Sequence, residues 1–160
     1  MRLLVGFLVI FSLLSPLLLI IGGIQRAIVP SQPVFIPESL AEGYEVLNQL
    51  DQAQNAIVLA SYKTSNALPA YAYVRVVLGH GPESPNGKLV SEEVEKFYQS
   101  QTPERFRTDF LHRYQIQYVV WGDHERELGD WQPFLSPFLS VVYEGDTLVI
   151  FRVIQEKQED

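Results

Sequence analysis

Ala56-Ile57-Val58-Leu59-Ala60 is an unbroken apolar run, and Ser61-Tyr62-Lys63-Thr64-Ser65-Asn66 follows it at once. A run this short, with no polar alternate, is the pattern of a strand covered on both faces. It predicts a central parallel strand. Val74 to Leu78 reads as a second strand, and the residues between the two leave room for a compact helical crossover around Ser65 to Tyr71. Ile116 to Trp121 reads as a third. Leu139 to Tyr143 and Leu148 to Val153 flank the turn formers Glu144-Gly145-Asp146-Thr147, which is a hairpin signal.

Two helices separate the second and third strands. The first carries Val90, Val94 and Phe97 on one face, with Glu92 four residues before Lys96. The second begins near Thr102-Pro103, where proline suits the first helical position, and buries Phe106, Phe110 and Tyr114. Upstream, Ser39-Leu40-Ala41-Glu42 has capping-box spacing, and Leu40, Tyr44, Leu47 and Leu50 mark an apolar helical face. This order predicts a small three-layer α/β domain over residues 39–154, with a mixed, mainly parallel sheet and a C-terminal β-hairpin. The tail, residues 155–160, is polar.

The start of the chain is of another kind. Leu3 to Ile21 carries no charge, and as a helix it spans about 28 Å, close to the hydrocarbon core of a bilayer. Residues 1–29 therefore read as a transmembrane helix, kinked at Pro16. A cleaved secretory signal is the alternative, but the apolar run is longer than an ordinary signal core and no small-x-small cleavage site follows. Arg2 and the N-terminal amine on one side, against Arg26 on the other, lean towards a cytoplasmic N-terminus and an extracytoplasmic domain. Three prolines between Pro30 and Pro37 make residues 30–38 a stiff, extended spacer.

The chain has 160 residues, enough for one core. Its net charge is −7 and no Lys/Arg cluster occurs, so a phosphate backbone has no basic face to meet and nucleic-acid binding is disfavoured. The lack of cysteine excludes disulfides and thiolate zinc sites. No Walker-type or dinucleotide-binding glycine pattern and no G-x-S-x-G elbow is present.

Ligands of open parallel sheets bind outside the carboxyl ends of the strands. Three polar segments follow the three predicted strands there: Ser61 to Asn66, the loop from His80 to Lys88, and Gly122-Asp123-His124-Glu125-Arg126. His80 and Glu83 have the spacing of an acid-base pair, but a loop-capping histidine beside a solvated glutamate is the favoured reading. Asp123-His124-Glu125 offers nitrogen and oxygen ligands, yet adjacent residues need a partner such as His80 to close on an ion. Neither a metal nor a cofactor is expected. His112 should face solvent, and Trp121, Trp131 and Phe134 should lie in or at the edge of the core.

Several of these segments, in order, resemble the C-terminal region of bacterial multi-spanning glycosyltransferases of the GT-C type, relatives of the protein mannosyltransferases. They are Val58 to Asn66 with Leu68-Pro69-Ala70-Tyr71, then Val76 to Gly81 with Glu83 and Lys88, Phe97-Tyr98, Tyr114 to Val120, Glu125-Arg126, and the closing hairpin from Val141 to Val153. The resemblance implies an extracytoplasmic domain after a final membrane helix, in enzymes that use polyprenyl-phosphate sugars. It places the catalytic carboxylate in an earlier loop that this sequence does not contain, so the chain is expected to be non-catalytic alone, as a gene fragment or a stand-alone remnant. Partners implied are the lipid bilayer, a multi-spanning membrane protein and a polyprenyl-phosphate sugar. The ligand-binding residues implied are Tyr62, Asn66, His80, Glu83, Glu125 and Arg126, with Arg126 as an anion partner. The loop departs from the family pattern at Gly81-Pro82-Glu83-Ser84-Pro85, which lacks an aromatic near His80 and a threonine after Glu83. A rival reading is a membrane-tethered interaction module of the cell envelope, and a third is a small hydrolase using His80 and Glu83.

Overall fold

The computed structural model describes residues 2–28, 35–50, 53–79 and 86–154. The chain forms two compact units, Met1–Ile36 and Pro37–Asp160. The first contains one helix, α1 (Arg2–Ile28), continuous through Pro16. Its described apolar side chains, among them Phe7, Leu19 and Ile28, are exposed. Taken over the described residues alone, no helix is long and apolar enough to cross a membrane. The expectation of a membrane-spanning segment therefore finds no support in them; what is shown is a 27-residue helix. Most of the proline-rich spacer and the polar tail lie outside the described residues.

The second unit is a small α/β domain built on a mixed five-stranded sheet in the order β2-β1-β3-β5-β4. Its strands are β1 (Ile57–Leu59), β2 (Arg75–Val76), β3 (Tyr118–Gly122), β4 (Leu139–Glu144) and β5 (Leu148–Val153). β1 is parallel to β2 on one side and to β3 on the other, as its wholly apolar sequence demands of a central strand. β5 runs antiparallel to both β3 and β4, so the hairpin joins through its second strand and β4 forms an edge. A bulge between Val141 and Tyr143 interrupts the hairpin.

Strand alternation sends residues to two different layers. Leu59, Val119, Trp121, Val149 and Phe151 pack in one cluster with Val94, Phe97 and Tyr98 of the α4 (Gly87–Phe97) region and with Phe110 and Leu111 of α5 (Glu104–Arg113). The alternate residues Val58, Val120, Leu148 and Ile150 are buried too. They lie towards α2 (Glu38–Glu45), where a Cβ on Gly43 would come within 2.9 Å of the Leu148 side chain. Each large side chain buried in this way contributes about 1.5–3 kcal/mol.

Local readings are corrected in three places. α2 is capped at Pro37, so Ser39 lies inside the helix and makes no capping box. The crossover helix α3 (Tyr62–Ala67) starts directly after β1, because the Ser61 side chain accepts a hydrogen bond from the Thr64 amide at 3.3 Å; a single 3-10 turn, Leu68–Ala70, completes it. Pro103 is the residue before α5 rather than its first.

Candidate functional site

Because β1, β2 and β3 are parallel, the segments that follow them share one edge. Two of them are fastened together by a buried carboxylate. Gly122 leads from β3 into α6 (Asp123–Arg126), and Glu125 turns back from that short helix. Its two oxygens accept the Gly122 amide at 3.0 Å and the Ser61 amide at 2.8 Å. The first bond closes the start of α6; the second reaches across to the start of α3. Glu125 is 1% exposed, so its carboxylate serves the backbone of the edge and not its surface.

The groups around Glu125 are polar but enclosed. Ser61, Thr64 and Ser65 are buried, and the Ser61 and Thr64 hydroxyls are 3.1 Å apart. The Tyr98 hydroxyl donates to the carbonyls of Val120 at 3.1 Å and Leu59 at 3.4 Å, tying β1 to β3 from below. Burial, and secondarily the charge of Glu125, holds the Tyr98 phenol well above its ordinary value. Burial likewise pushes the Tyr44 phenol up to about 12, against a lowering hydrogen bond with Thr64.

Outside this enclosed set lies an exposed rim. Tyr62, Lys63 and Asn66 are the exposed positions of α3. Lys63 meets Glu127 at 2.6 Å, and that hydrogen bond holds the Glu127 carboxyl below its ordinary value. His124 Nδ1 lies 3.8 Å from the same carboxylate. Arg126 pairs with Asp123 at 3.0 Å and sits 5.8 Å from the centre of the Trp121 ring. The end of β2 approaches as well, since a Cβ on Gly79 would stand 3.7 Å from the Asn66 side-chain oxygen.

The edge thus brings together Tyr62, Asn66, Glu125 and Arg126, with Glu125 beneath the surface and Arg126 already engaged by Asp123. His80 and Glu83 lie outside the described residues. Among the described residues no group of three or more His, Cys, Asp or Glu side chains could hold a metal ion. His112 is exposed, and Trp121 and Trp131 are buried. Phe134 is half exposed with its ring against Phe151 at 5.2 Å. Arg107, buried and charged, escaped the sequence reading, and Tyr98 entered it only as part of the resemblance, without its buried hydroxyl. Arg107, Phe110, Leu111 and Tyr114 recur at helical spacing, and that periodicity would have placed the arginine on the buried face.

No protein-family profile and no curated protein matches this sequence. A solved structure does. It is the crystal structure of the C-terminal globular domain of an oligosaccharyltransferase from Archaeoglobus fulgidus, with a TM-score of 0.56. The likeness is one of fold. Sequence identity is 12%, and the match covers 74% of this chain and 99% of that one. The chain therefore carries a domain with the fold of that oligosaccharyltransferase's C-terminal globular domain. Kinship with protein mannosyltransferases and a bacterial source are not touched by this likeness.

Proposed function

We propose that this chain is the membrane-anchored C-terminal domain of a polyprenyl-phosphate-sugar-dependent glycosyltransferase-like protein of the bacterial GT-C type, and that it does not catalyse transfer by itself. The observation that supports this most is the breadth of the fold likeness, which takes in 99% of an oligosaccharyltransferase's C-terminal globular domain. The anchor is the segment around Leu3 to Ile21. It has no charged residue to desolvate, and on insertion scales its Leu, Ile, Val and Phe residues contribute roughly −5 to −9 kcal/mol. The N-terminus lies in the cytoplasm and the α/β domain outside it.

In this reading a multi-spanning protein supplies the catalytic carboxylate, and the strand-end edge of this domain shapes the entrance used by acceptor or lipid-linked sugar. Tyr62, Asn66, His80, Glu83 and Arg126 would form that entrance, and Glu125 would fix the backbone that carries them. The test is extraction and capture. The chain should stay with membranes through alkaline carbonate washing and, after mild solubilisation, should bring down a multi-spanning protein. Release by carbonate sinks the anchor, and recovery of soluble proteins alone favours a tethered interaction module.

A further inference from the structure

The chain has four asparagines, and two of them form a matched pair. Asn55 and Asn86 are both exposed, and both hold a left-handed backbone, at φ 62° and 61°. They differ in the residue that follows. Asn55 precedes Ala56, which is buried and whose N–H donates to the Ala53 carbonyl at 3.0 Å. Asn86 precedes Gly87, the first residue of α4, whose N–H has no carbonyl one turn back within the helix to receive it. The remaining two are held otherwise. Asn48 donates to the Tyr71 carbonyl at 2.8 Å and accepts the Tyr73 N–H at 2.9 Å, and Asn66 lies inside α3.

The Asn86 side chain is unengaged as a cap. It stands where an asparagine oxygen ordinarily accepts a helix N–H, yet it makes no such bond. Its amide carbon is therefore open, and the residue that carries the next nitrogen has no Cβ to bar the approach. Such a dipeptide reacts with itself. The Gly87 nitrogen attacks the Asn86 Cγ and gives up its proton, the side-chain nitrogen leaves as ammonia, and a cyclic imide closes. Water then opens the ring at either carbonyl. One opening leaves aspartate; the other leaves isoaspartate, in which the main chain runs through the former side chain. At ψ 20° the Gly87 nitrogen faces away from Cγ, so the step needs the first turn of α4 to fray, as helix ends do.

We propose that Asn86 is a self-modifying site, where intramolecular deamidation yields aspartate and isoaspartate while Asn55 stays intact. The isoaspartyl product loosens α4. The Asn86 carbonyl accepts the Val90 N–H at 3.1 Å, the bond that opens this helix. In isoaspartate that carbonyl becomes a free carboxylate and an extra carbon enters the main chain, so the acceptor is displaced.

Peptide mapping by mass spectrometry tests this on the full chain, kept in uncharged detergent micelles in mildly alkaline buffer. The fragment holding Asn86 should grow heavier with time by about one dalton, and an isoaspartyl methyltransferase should label it. Fragments holding Asn48, Asn55 and Asn66 should keep their masses. Gly87→Ala should slow the change about tenfold, since a Cβ restricts the turn that the nitrogen must make. Ala56→Gly puts the reactive dipeptide at the other left-handed asparagine, where the following amide is still bonded to Ala53, and Asn55 should stay intact. Unaltered melting of both variants establishes that the fold holds. An Asn86 fragment of constant mass overturns the site. Reaction of Asn55 in Ala56→Gly as fast as that of Asn86 overturns the role of the unbonded amide. Hydrogen exchange at Val90 should quicken in the isoaspartyl fraction, and an unchanged rate overturns the loosening of α4.

Discussion

Two places in the α/β domain bury a single charged side chain, and they do so with opposite chemistry. At the strand-end edge, Glu125 accepts two backbone N–H groups. Beyond the end of α4, Arg107 donates to three carbonyls: Phe97 at 2.9 Å, Thr102 at 2.7 Å, and Gln99. Both are 1% exposed. Helix and strand ends leave backbone groups unpaired, and one long charged side chain can satisfy several at once. The difference lies in the neutralising environment. Arg107 has Glu104 at 3.0 Å and the Trp131 ring at 4.7 Å. Glu125 has two backbone amides on its oxygens and, among the described residues, forms no ion pair. A buried charge is thus tolerated wherever the backbone itself supplies the complement, whether or not a counter-ion is present.

The larger effect is expected at Arg107. Arg107→Met keeps most of the volume but strips the guanidinium from the Phe97 and Thr102 carbonyls, leaves the Gln99 carbonyl with the Thr102 amide alone, and should cost about 3–5 kcal/mol. Urea unfolding of the full chain in detergent micelles should show the midpoint falling with the slope unchanged. A loss below about 1 kcal/mol would mean water replaces the guanidinium and the two buried charges are not alike.

Glu125→Gln comes next. It keeps the shape but turns an NH2 towards a backbone N–H, donor against donor, at a cost of about 2–3 kcal/mol. The signature is local as well as global: the Ser61 and Gly122 amides should lose protection in hydrogen exchange. If those amides keep their protection in the variant, the carboxylate does not fasten α3 to α6.

The tyrosines around Glu125 sharpen the contrast through pH. Both Tyr44 and Tyr98 titrate higher in the folded state than in the unfolded chain. Below a pH of about 10 both states hold the proton, and the tyrosines' contribution is complete. As pH rises from there towards 12, the unfolded chain gives up its protons first, so stability must fall. Tyr44→Phe should flatten that fall, whereas a Phe substitution at the exposed Tyr73 should not. A stability curve level to pH 12 would contradict the enclosed phenols.

How much of this could be read from the sequence follows from what each residue's neighbours reveal. β1, β3 and the hairpin were legible because their apolar runs have a length and flanking turn chemistry that only strands share. β2 shrank to two residues, since an edge needs less of its backbone paired. The strand-end edge was legible as a place, because parallel strands put their carboxyl ends together. The inward turn of Glu125 was not. It stands in the polar run from Gly122 to Arg126, where composition predicts solvation, and its partner Ser61 is 64 residues away. The helix start at Tyr62 was missed because Ser61 looked like part of a polar ligand loop, although serine is a favoured cap.

The smallest effect is a gain, and it shows what an end costs when no charged side chain closes it. α5 ends by backbone bonds alone: Gln115 donates to the His112 carbonyl at 3.1 Å and Ile116 to Leu111 at 2.9 Å. Closing the helix this way puts Gln115 at φ 52°, left-handed territory that a side chain resists. Gln115→Gly removes that resistance, offset in part by the greater freedom of glycine in the unfolded chain. The net should be stabilising by roughly 0.5–1 kcal/mol, read as a rise in the urea midpoint. Gln115→Val should move it the other way, because branching at Cβ worsens the same clash. If both substitutions lower the midpoint, the exposed Gln115 side chain itself contributes to the end of α5, and backbone closure alone does not suffice.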